Sequence, residues 1–553
     1  MILLCTGCGP QAGLEITADT DRDGRINFQQ DGPGKNSWTL ERGALFFNNN
    51  DSDMDTHMPD YADDLVNGLD DLKDLAAIRI KQMPNLNENA RAAVSVDEAS
   101  QSRVRLFYKN QENEYVSLLP SREALLDPAD LRQSDLELRI EANSYADADW
   151  NGETTVTVSV TPPAGETQSD SVLLKAAPFM LLSNLQEGKT LYVREFPGRN
   201  DAFLDSLRRL VPQAGAKLAI LPAGEPYDPY DIWFQDTMEI GYSEIPGQRM
   251  NVVLKANRNR SLDEYAKNEL LGPDFGWLQV GEFRQAFAGG RGGNGWLDWY
   301  GNLEVTPPVP GYPLGRIFYG FNPEGPEEAS LNPEIVAMLE AQKVQAPLIR
   351  LDTGWLLIKH VDEVVSFVPS VSSERPFKVL VVDTSSMTAL LETWMDEGLG
   401  DYQILTSYTK DKVTVSSLFS NSDIIDWNKA LQKDRIEPNI SLLKTELGLK
   451  EEDFIRVPCL FDKDGAAIIP NMVNSAILNG HIFIVSPKGP VVEGADLLEE
   501  EMRRLLKDLP LTPHFLEAGT YHMWGGEVHC ATNVRREGPA DPWWEIMQKE
   551  TLK

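Results

Sequence analysis

The stretch KTLYVREFPGRNDAFLDSLRRLVPQAGAKLAILP, residues 189–222, sets the architecture. KTLYVREF is a short run suited to a strand, NDAFLDSLRRLV repeats apolar residues at the helical period, and AKLAILP returns to a short apolar run. Strand, helix and strand in succession mark an α/β unit. The same alternation recurs around PEIVAMLEAQ with APLIRL, FKVLVVDT with MTALLETWM, and HIFIVSP with ADLLEEEMRRLLKDL. Several comparable modules are therefore expected in residues 175–553, although no sequence repeat is clear enough to count them.

Upstream the pattern changes. VRLFYK (104–109), LELRIEA (136–142) and TTVTVSV (154–160) alternate apolar and polar residues, the period of half-buried strands, with Pro, Asn and Gly breaks between them. Residues 14–174 are read as an antiparallel β-sandwich whose last turns lie near Pro162-Pro163-Ala164-Gly165. Acidic side chains crowd its beginning, with fifteen Asp and Glu against five Lys and Arg in residues 11–75. They cluster in ADTDRDG (18–24), NNNDSDMD (48–55), DYADD (60–64) and LDDLKD (69–74). Such a density resists regular structure unless cations hold it, so the clusters are either calcium ligands or a solvated acidic face.

A chain of 553 residues exceeds what one core usually supports, so more than one domain is expected. The net charge of −34 and pI near 4.6 argue against a general nucleic-acid binder and favour calcium, cationic partners and basic substrates. No segment approaches the roughly 18 consecutive apolar residues of a membrane span. Four cysteines, Cys5, Cys8, Cys459 and Cys530, are too few and too scattered for a disulfide scaffold. The opening MILLCTGCGP, residues 1–13 in part, reads either as the end of a truncated lipoprotein-type signal with a lipidated Cys8 or as a plain terminus. An envelope-anchored or secreted protein follows from the first, a cytoplasmic one from the second.

Chemistry concentrates around a few scarce residues. His360 and Asp362 in IKHVDEVVSF follow a presumed strand WLLIKH, and an i, i+2 spacing on extended backbone puts both on one side. Asp231, Asp236 and Glu239 interrupt the apolar and aromatic run DIWFQDTMEIGY, where carboxylates are costly unless paired, metal-bound or catalytic. Cys530, in GGEVHCATNVRRE (525–537), taken alone is either a buried inert thiol or a nucleophile. Two carboxylates would repel the oxyanion of an ester or amide substrate but suit a cationic electrophile. A guanidinium offers a planar fork of N–H donors matched to carboxylates, so Cys, His and two Asp point to guanidine hydrolysis.

The chain resembles the protein-arginine deiminases in WFQDTMEIGY (233–242), GPDFG (272–276), GNLEVTPPV (301–309), HVDEVVSFVP (360–369), PNMVN (470–474) and GEVHCATNVRR (526–536). The resemblance implies a pentein fold, a five-fold pseudosymmetric α/β propeller, for residues 175–553, preceded by an immunoglobulin-like domain over 14–174. The N-terminal domain of vertebrate members has no expected counterpart. By resemblance, Cys530 attacks the guanidinium carbon, Asp236 and Asp362 hold the substrate nitrogens, and His360 serves as acid and base. Trp233 flanks the arginine methylenes, and Arg258 and Arg260 in KANRNRSL recognise substrate backbone carbonyls. Where the family commonly has an arginine just before GEVHC, this chain has Trp524-Gly525.

The resemblance also implies Ca2+. One catalytic-domain site maps to Gln235, Glu239 and Glu304 with the carbonyls of Tyr300 and Leu303. A second is lost, since its positions hold Thr237, Lys255, Ala256 and Asn259, and Lys255 is expected to stand in for the ion. The sandwich cluster maps to Asn49, Asp51, Asp53, Asp60, Asp63, Asp71 and Asp74, joined by Asp274. ADTDRDG offers Asp19, Asp21, Asp23 and Asn27; as an EF-hand loop it would need Glu at its twelfth position, which is Gln30. The expected activity is calcium-dependent or calcium-modulated conversion of peptidyl-arginine in proteins or peptides to peptidyl-citrulline and ammonia. The alternatives are a deiminase of free arginine, agmatine or another small guanidine, and a noncatalytic calcium-binding scaffold or adhesion protein. Nucleic acid is not an expected partner; a homodimer and a lipid anchor stay open.

Overall fold

The computed structural model describes residues 13–53, 58–62, 64–110, 112–118, 123–285, 293–326, 329–372, 374–405 and 412–551. Cys5, Cys8 and the signal-like opening lie outside the described residues, as does Asp63. The first part of the chain builds two five-stranded sheets. One runs Ile16–Ala18, Ala76–Ile80, Leu136–Ala142, Val104–Lys109, Tyr115–Ser117; the other runs Ala44–Phe46, Gln168–Ala176, Glu153–Thr161, Arg91–Val96, Ala124–Leu126. The period-2 pattern is obeyed in Glu153–Thr161, where Thr154, Val156, Val158 and Val160 are buried and their neighbours are not. Both sheets contribute to a single core that includes Phe46, Ile78, Leu106, Leu138, Val158 and Leu174. One pairing corrects the antiparallel expectation: Ala44–Phe46 lies parallel to Leu174–Ala176. The two strands are far apart in sequence, so no hairpin constrains their direction.

From Met180 onward the described residues make five sheets of three or four strands, each built on the same plan, and two small two-stranded ones. A central strand has an antiparallel neighbour on one side and, after a crossover, a parallel neighbour on the other. The central strands are Gly188–Arg194, Gln248–Lys255, Ile317–Phe321, Phe377–Asp383 and His481–Val485. Their parallel partners are Lys217–Leu221, Phe275–Leu278, Ile349–Asp352, Phe454–Pro458 and Thr512–Leu516. Helices Asp201–Gln213, Pro333–Ala341, Thr384–Asp396 and Leu497–Leu506 lie within four of the crossovers, as the alternation predicts; in the second crossover short 3-10 and π turns stand instead. The antiparallel neighbours are Met238–Ile245, Leu303–Val305, Val365–Pro369 and Ala476–Leu478, and for the first sheet it is Thr532–Arg536 from the end of the chain. That last pairing ties the C-terminal segment back to the first module.

The stretch WLLIKH is not a strand. Trp355–His360 forms turns, with Lys359 at φ +69°, and Val361–Glu363 is a single 3-10 turn capped by His360. Its backbone is diverted because Leu357 N–H bonds the carbonyl of Gly465 and the Thr353 hydroxyl bonds the carbonyl of Lys359, so no sheet ladder is available to it.

Candidate active site

The common plan of the five sheets explains why residues so far apart in sequence meet. Asp236, Gly301, Asn474 and Cys530 each stand two residues ahead of an antiparallel strand, and Asp362 stands three ahead. Each sheet thus delivers one residue from the turn preceding the same strand. Cys530 sits in the short helix Val528–Ala531, Asp236 in Phe234–Thr237, and Gly301 in the 3-10 turn Tyr300–Asn302. Gly301 has to be glycine, because a Cβ there would lie 2.4 Å from His360 Nδ1, 3.1 Å from Asp236 Oδ1 and 3.2 Å from Asp362 Oδ2.

The four sequence-predicted catalytic residues are brought together and buried. Cys530 Sγ lies 3.5 Å from Asp362 Oδ2, and His360 Nδ1 lies 3.4 Å from Asp236 Oδ1. His360 Nε2 is 2.8 Å from the carbonyl of Trp296. A carbonyl only accepts, so Nε2 carries a proton, and in the neutral tautomer Nδ1, on the Asp236 side, is the accepting nitrogen. Asp236 Oδ1, Asp362 Oδ1 and His360 Nδ1 are buried and have no hydrogen-bond partner among the described residues, although the first and last lie within ion-pair range of each other. Burial pushes Asp236 up to about 6, although His360 and Arg258 pull the other way. Burial, reinforced by Asp362, Asp236 and Glu363, pushes the Cys530 thiol well above its ordinary range. The site is therefore short of positive charge and of donors.

Two further residues belong to it. Asn474 donates from Nδ2 to Cys530 Sγ at 3.1 Å and accepts from Cys530 N–H at 3.2 Å. His529 Nδ1 is 2.9 Å from Asp362 Oδ2 and its Nε2 is 3.5 Å from Glu304 Oε1. Burial would depress His529, but Glu304 and Asp362 together carry it above its usual value. Position within PNMVN and adjacency to Cys530 were the available sequence signals for these two.

Trp233 packs edge-on against Tyr521, and a Cβ on Gly526 would meet its ring at 2.5 Å and Cys530 Cβ at 3.1 Å, so the indole stands beside Cys530. Arg260 is 39% exposed with its guanidinium over Trp299. Arg258 is different from the sequence expectation. It is wholly buried, bonds Asp231 at 2.7 and 3.3 Å and Asp263 at 2.6 Å, and so braces the loop rather than presenting a free fork to a substrate backbone. Asp231, the spare acid of DIWFQDTMEIGY, is its partner.

The carboxylates expected to bind metal fall into three groups. Beyond the Cys530 cluster, Gln235, Glu239 and Glu304 line a cavity of about 30 Å³ together with His529, Asn533 and Arg536. Burial and mutual repulsion push Glu239 well up; burial pushes Glu304 to about 7; and Glu304 Oε1 has no hydrogen-bond partner. Two crowded, buried carboxylates fit a hard cation. The Tyr300 carbonyl already accepts from Gln235 Nε2 at 3.2 Å and from Leu303 N–H, so the Tyr300 and Leu303 turn is closed on itself.

In the two-sheet part, Asp51, Asp53 and Asp74 place carboxylate oxygens within 4.8 Å of one another. Asn49 Oδ1, Asp51 Oδ1 and both oxygens of Asp53 and Asp74 are buried and have no hydrogen-bond partner among the described residues. Burial first, then mutual charge, pushes Asp51 well up, and burial raises Asp53 to about 6 and Asp74 to about 8. This donor set fits calcium. Asp60 Oδ2 accepts from Asp53 N–H, and Asp274 N–H donates to Asp51 Oδ2 at 2.9 Å, which joins the later segment to the cluster. Asp71 bonds Asn49, which in turn bonds the buried Glu141 at 2.8 Å. Glu141, on the nominally outward face of LELRIEA, was not anticipated. In ADTDRDG the grouping is Asp19, Asp21 and Asp31. Asp23 accepts from Arg25 N–H, and Asn27 caps the helix Phe28–Asp31, so these two side chains have other partners. Asp31, one place beyond Gln30, takes the inward position, but its oxygens already accept three backbone N–H bonds.

The family model described as protein-arginine deiminase matches residues 166–545, and the one described as its middle domain matches residues 14–162. The chain is 32% identical to protein-arginine deiminase type-4 of Mus musculus, covering 97% of this chain and 83% of that protein. Against the type-4 enzyme of Homo sapiens the identity is 33% with the same coverage. The solved C. jejuni agmatine deiminase aligns with 66% of this chain and 98% of its own at 12% identity and a TM-score of 0.39, too slight a likeness to argue from. The length of the two family matches and the identity across nearly the whole sequence place this chain in the protein-arginine deiminase family.

Proposed function

We propose that this chain hydrolyses peptidyl-arginine to peptidyl-citrulline and ammonia. The observation that carries the proposal is the set of buried, unpartnered acceptors, Asp236 Oδ1, Asp362 Oδ1 and His360 Nδ1, gathered beside Cys530. A guanidinium supplies the missing charge and N–H donors to both carboxylates. Its charge also offsets the two aspartates that hold the thiol protonated, so the nucleophile is activated by the substrate it attacks. The Cys530 proton goes to His360, Sγ bonds the guanidinium carbon, and the departing nitrogen takes that proton and leaves as ammonia. The carbon–sulfur thiouronium that remains is attacked by water as His360 takes a water proton. Collapse forms the citrulline carbonyl, breaks the C–S bond and restores the thiol, and the surplus proton leaves as ammonium.

Calcium bound through Glu239, Glu304 and Gln235 would neutralise two carboxylates and fix Gln235, the neighbour of Asp236. Lys255 fits the role of an internal cation: its ammonium pairs with Glu264 and lies 3.4 Å from Gln279 Oε1, pinning the turn that follows Arg258 and Arg260. The same reading takes residues 14–174 as an immunoglobulin-like β-sandwich and residues 175–553 as a five-bladed propeller, supported by two sheets sharing one core and five sheets of one plan.

The test is citrulline and ammonia release from an N-acylated, C-amidated arginine compared with free arginine, with and without calcium. The reading requires kcat/KM at least about tenfold higher on the capped substrate, and Cys530→Ser should lose about 10³-fold or more. Equal or better turnover of free arginine or agmatine would overturn it in favour of a small-guanidine deiminase.

A further inference from the structure

Few large hydrophobic side chains stand exposed among the described residues, and three of those are aromatic: Tyr230, Tyr402 and Trp524. Tyr230 and Trp524 are neighbours, with ring centroids 6.4 Å apart at 31°. Both lean on the buried Phe196, Tyr230 at 6.0 Å and Trp524 at 5.3 Å, each ring edge-on. Exposing an indole that the chain could have covered leaves a large apolar area in water, which marks recognition surfaces more often than chance.

The location is specific. Tyr230 is three residues before Trp233, and Trp524 is two residues before Gly526, where an added Cβ would run into the Trp233 ring and the Cys530 Cβ. The backbone is anchored at both. Tyr230 N–H bonds Asp228, and the next residue, Asp231, is locked by Arg258. Trp524 N–H bonds the Tyr521 carbonyl, and Gly525 turns the chain at φ +94°, which leaves Trp524 43% exposed at the crest of the turn. Met523, 55% exposed, adds a flexible thioether beside it. A pre-ordered apolar surface of this kind binds without a large ordering cost.

We propose that Tyr230 and Trp524, braced by Phe196, form a substrate subsite that takes an aromatic or large aliphatic side chain adjacent in sequence to the target arginine. This rests on the reading of the site as a peptidyl-arginine deiminase. Its rings are uncharged and the charge named beside them is the exposed Asp228 carboxylate, so it selects by apolar contact and disfavours an acidic flanking residue. A contact of this size is worth roughly three- to tenfold in selectivity.

The experiment uses N-acetyl-X-Arg-Gly-amide and N-acetyl-Gly-Arg-X-amide with X as Phe, Leu, Ala or Asp. With the wild-type chain, kcat/KM for Phe in at least one series should exceed Ala by about three- to tenfold, mainly through KM, with Asp lowest. In Trp524→Ala the Phe to Ala ratio should fall to about one, and Trp524→Phe should restore most of it. A ratio near one in wild type, or one that persists in Trp524→Ala, overturns the subsite. Binding of the same Phe and Ala peptides to Cys530→Ala, measured by calorimetry, separates the two readings. Absence of turnover on every peptide sinks the deiminase assignment alone, while equal affinities of the Phe and Ala peptides sink the subsite whether or not turnover occurs.

Discussion

The amide of Asn474 touches Cys530 Sγ at 3.1 Å, nearer than the Asp362 carboxylate at 3.5 Å, and the two act in opposite directions. An N–H donor stabilises the thiolate; a carboxylate disfavours it. Hydrogen bonds to charged groups contribute about 1.5–3 kcal/mol, so Asn474→Ala should lower kcat/KM by about ten- to a hundredfold. It should also move the pH midpoint of Cys530 alkylation upward, and a midpoint that stays put would show that the amide only packs. Asp236 makes a second prediction, with a definite sign. Its carboxyl is raised by burial to about 6, and only the ionised form can hold a guanidinium. Below about pH 6, log kcat/KM should therefore fall by about one unit per pH unit; a profile flat to pH 4.5 would remove Asp236 from the clamp. Cys530, His360 and the two aspartates were legible because scarce or costly residue types stood in recognisable surroundings. Asn474 and Asp31 were not, since an amide or one more acid says little by its type alone, and for Asn474 only its place within PNMVN hinted at a role until the fold showed what it faces.

At the scale of elements, the turn Tyr300–Asn302 fixes how closely the catalytic groups approach one another. Gly301→Ala places a Cβ 2.4 Å from His360 Nδ1, inside any real contact distance, and the imidazole and the two carboxylates it would meet are all buried, so none can swing clear into solvent. Overpacking of this kind typically destabilises by about 1–3 kcal/mol, and displacing the imidazole by an ångström or so costs about a hundredfold in rate. The variant should fold, melt slightly lower and show kcat down about a hundredfold; kcat within threefold of wild type would mean that the imidazole has room to move. Periodicity made the long strands and helices readable, as Glu153–Thr161 and Asp201–Gln213 show. It failed at WLLIKH, where an apolar run became turns because Gly465 and Thr353 captured its backbone. The short helices carrying Asp236 and Cys530 span four residues each, too few for any period to register.

For the whole molecule, the acidic cluster of the two-sheet part and the catalytic residues share a structural member. Asn50, next to Asp51, accepts Trp277 N–H on its carbonyl at 2.8 Å and donates its side-chain amide to the Trp277 carbonyl, while Asp274 N–H bonds Asp51. Trp277 lies in Phe275–Leu278, the parallel strand of the sheet whose antiparallel strand begins just after Asp236. A cation bound at Asp51, Asp53 and Asp74 would therefore act on one end of the sheet whose antiparallel strand follows Asp236. Ligand that binds only the folded state stabilises by RT ln(1 + [L]/Kd), about 2.7 kcal/mol at a hundredfold excess over Kd. Calcium should raise the melting temperature by a few degrees, and Asp74→Asn should reduce that rise. Because Asp74 adds to a crowd of like charges, the calcium-free variant should melt no lower than the calcium-free wild type, the opposite of what loss of an ordinary structural contact would give. If Lys255 holds the loop after Arg258 without metal, chelation should lower activity only in part. Complete, reversible inactivation by a chelator would show instead that Lys255 does not replace an ion, and that metal-held carboxylates alone set the clamp.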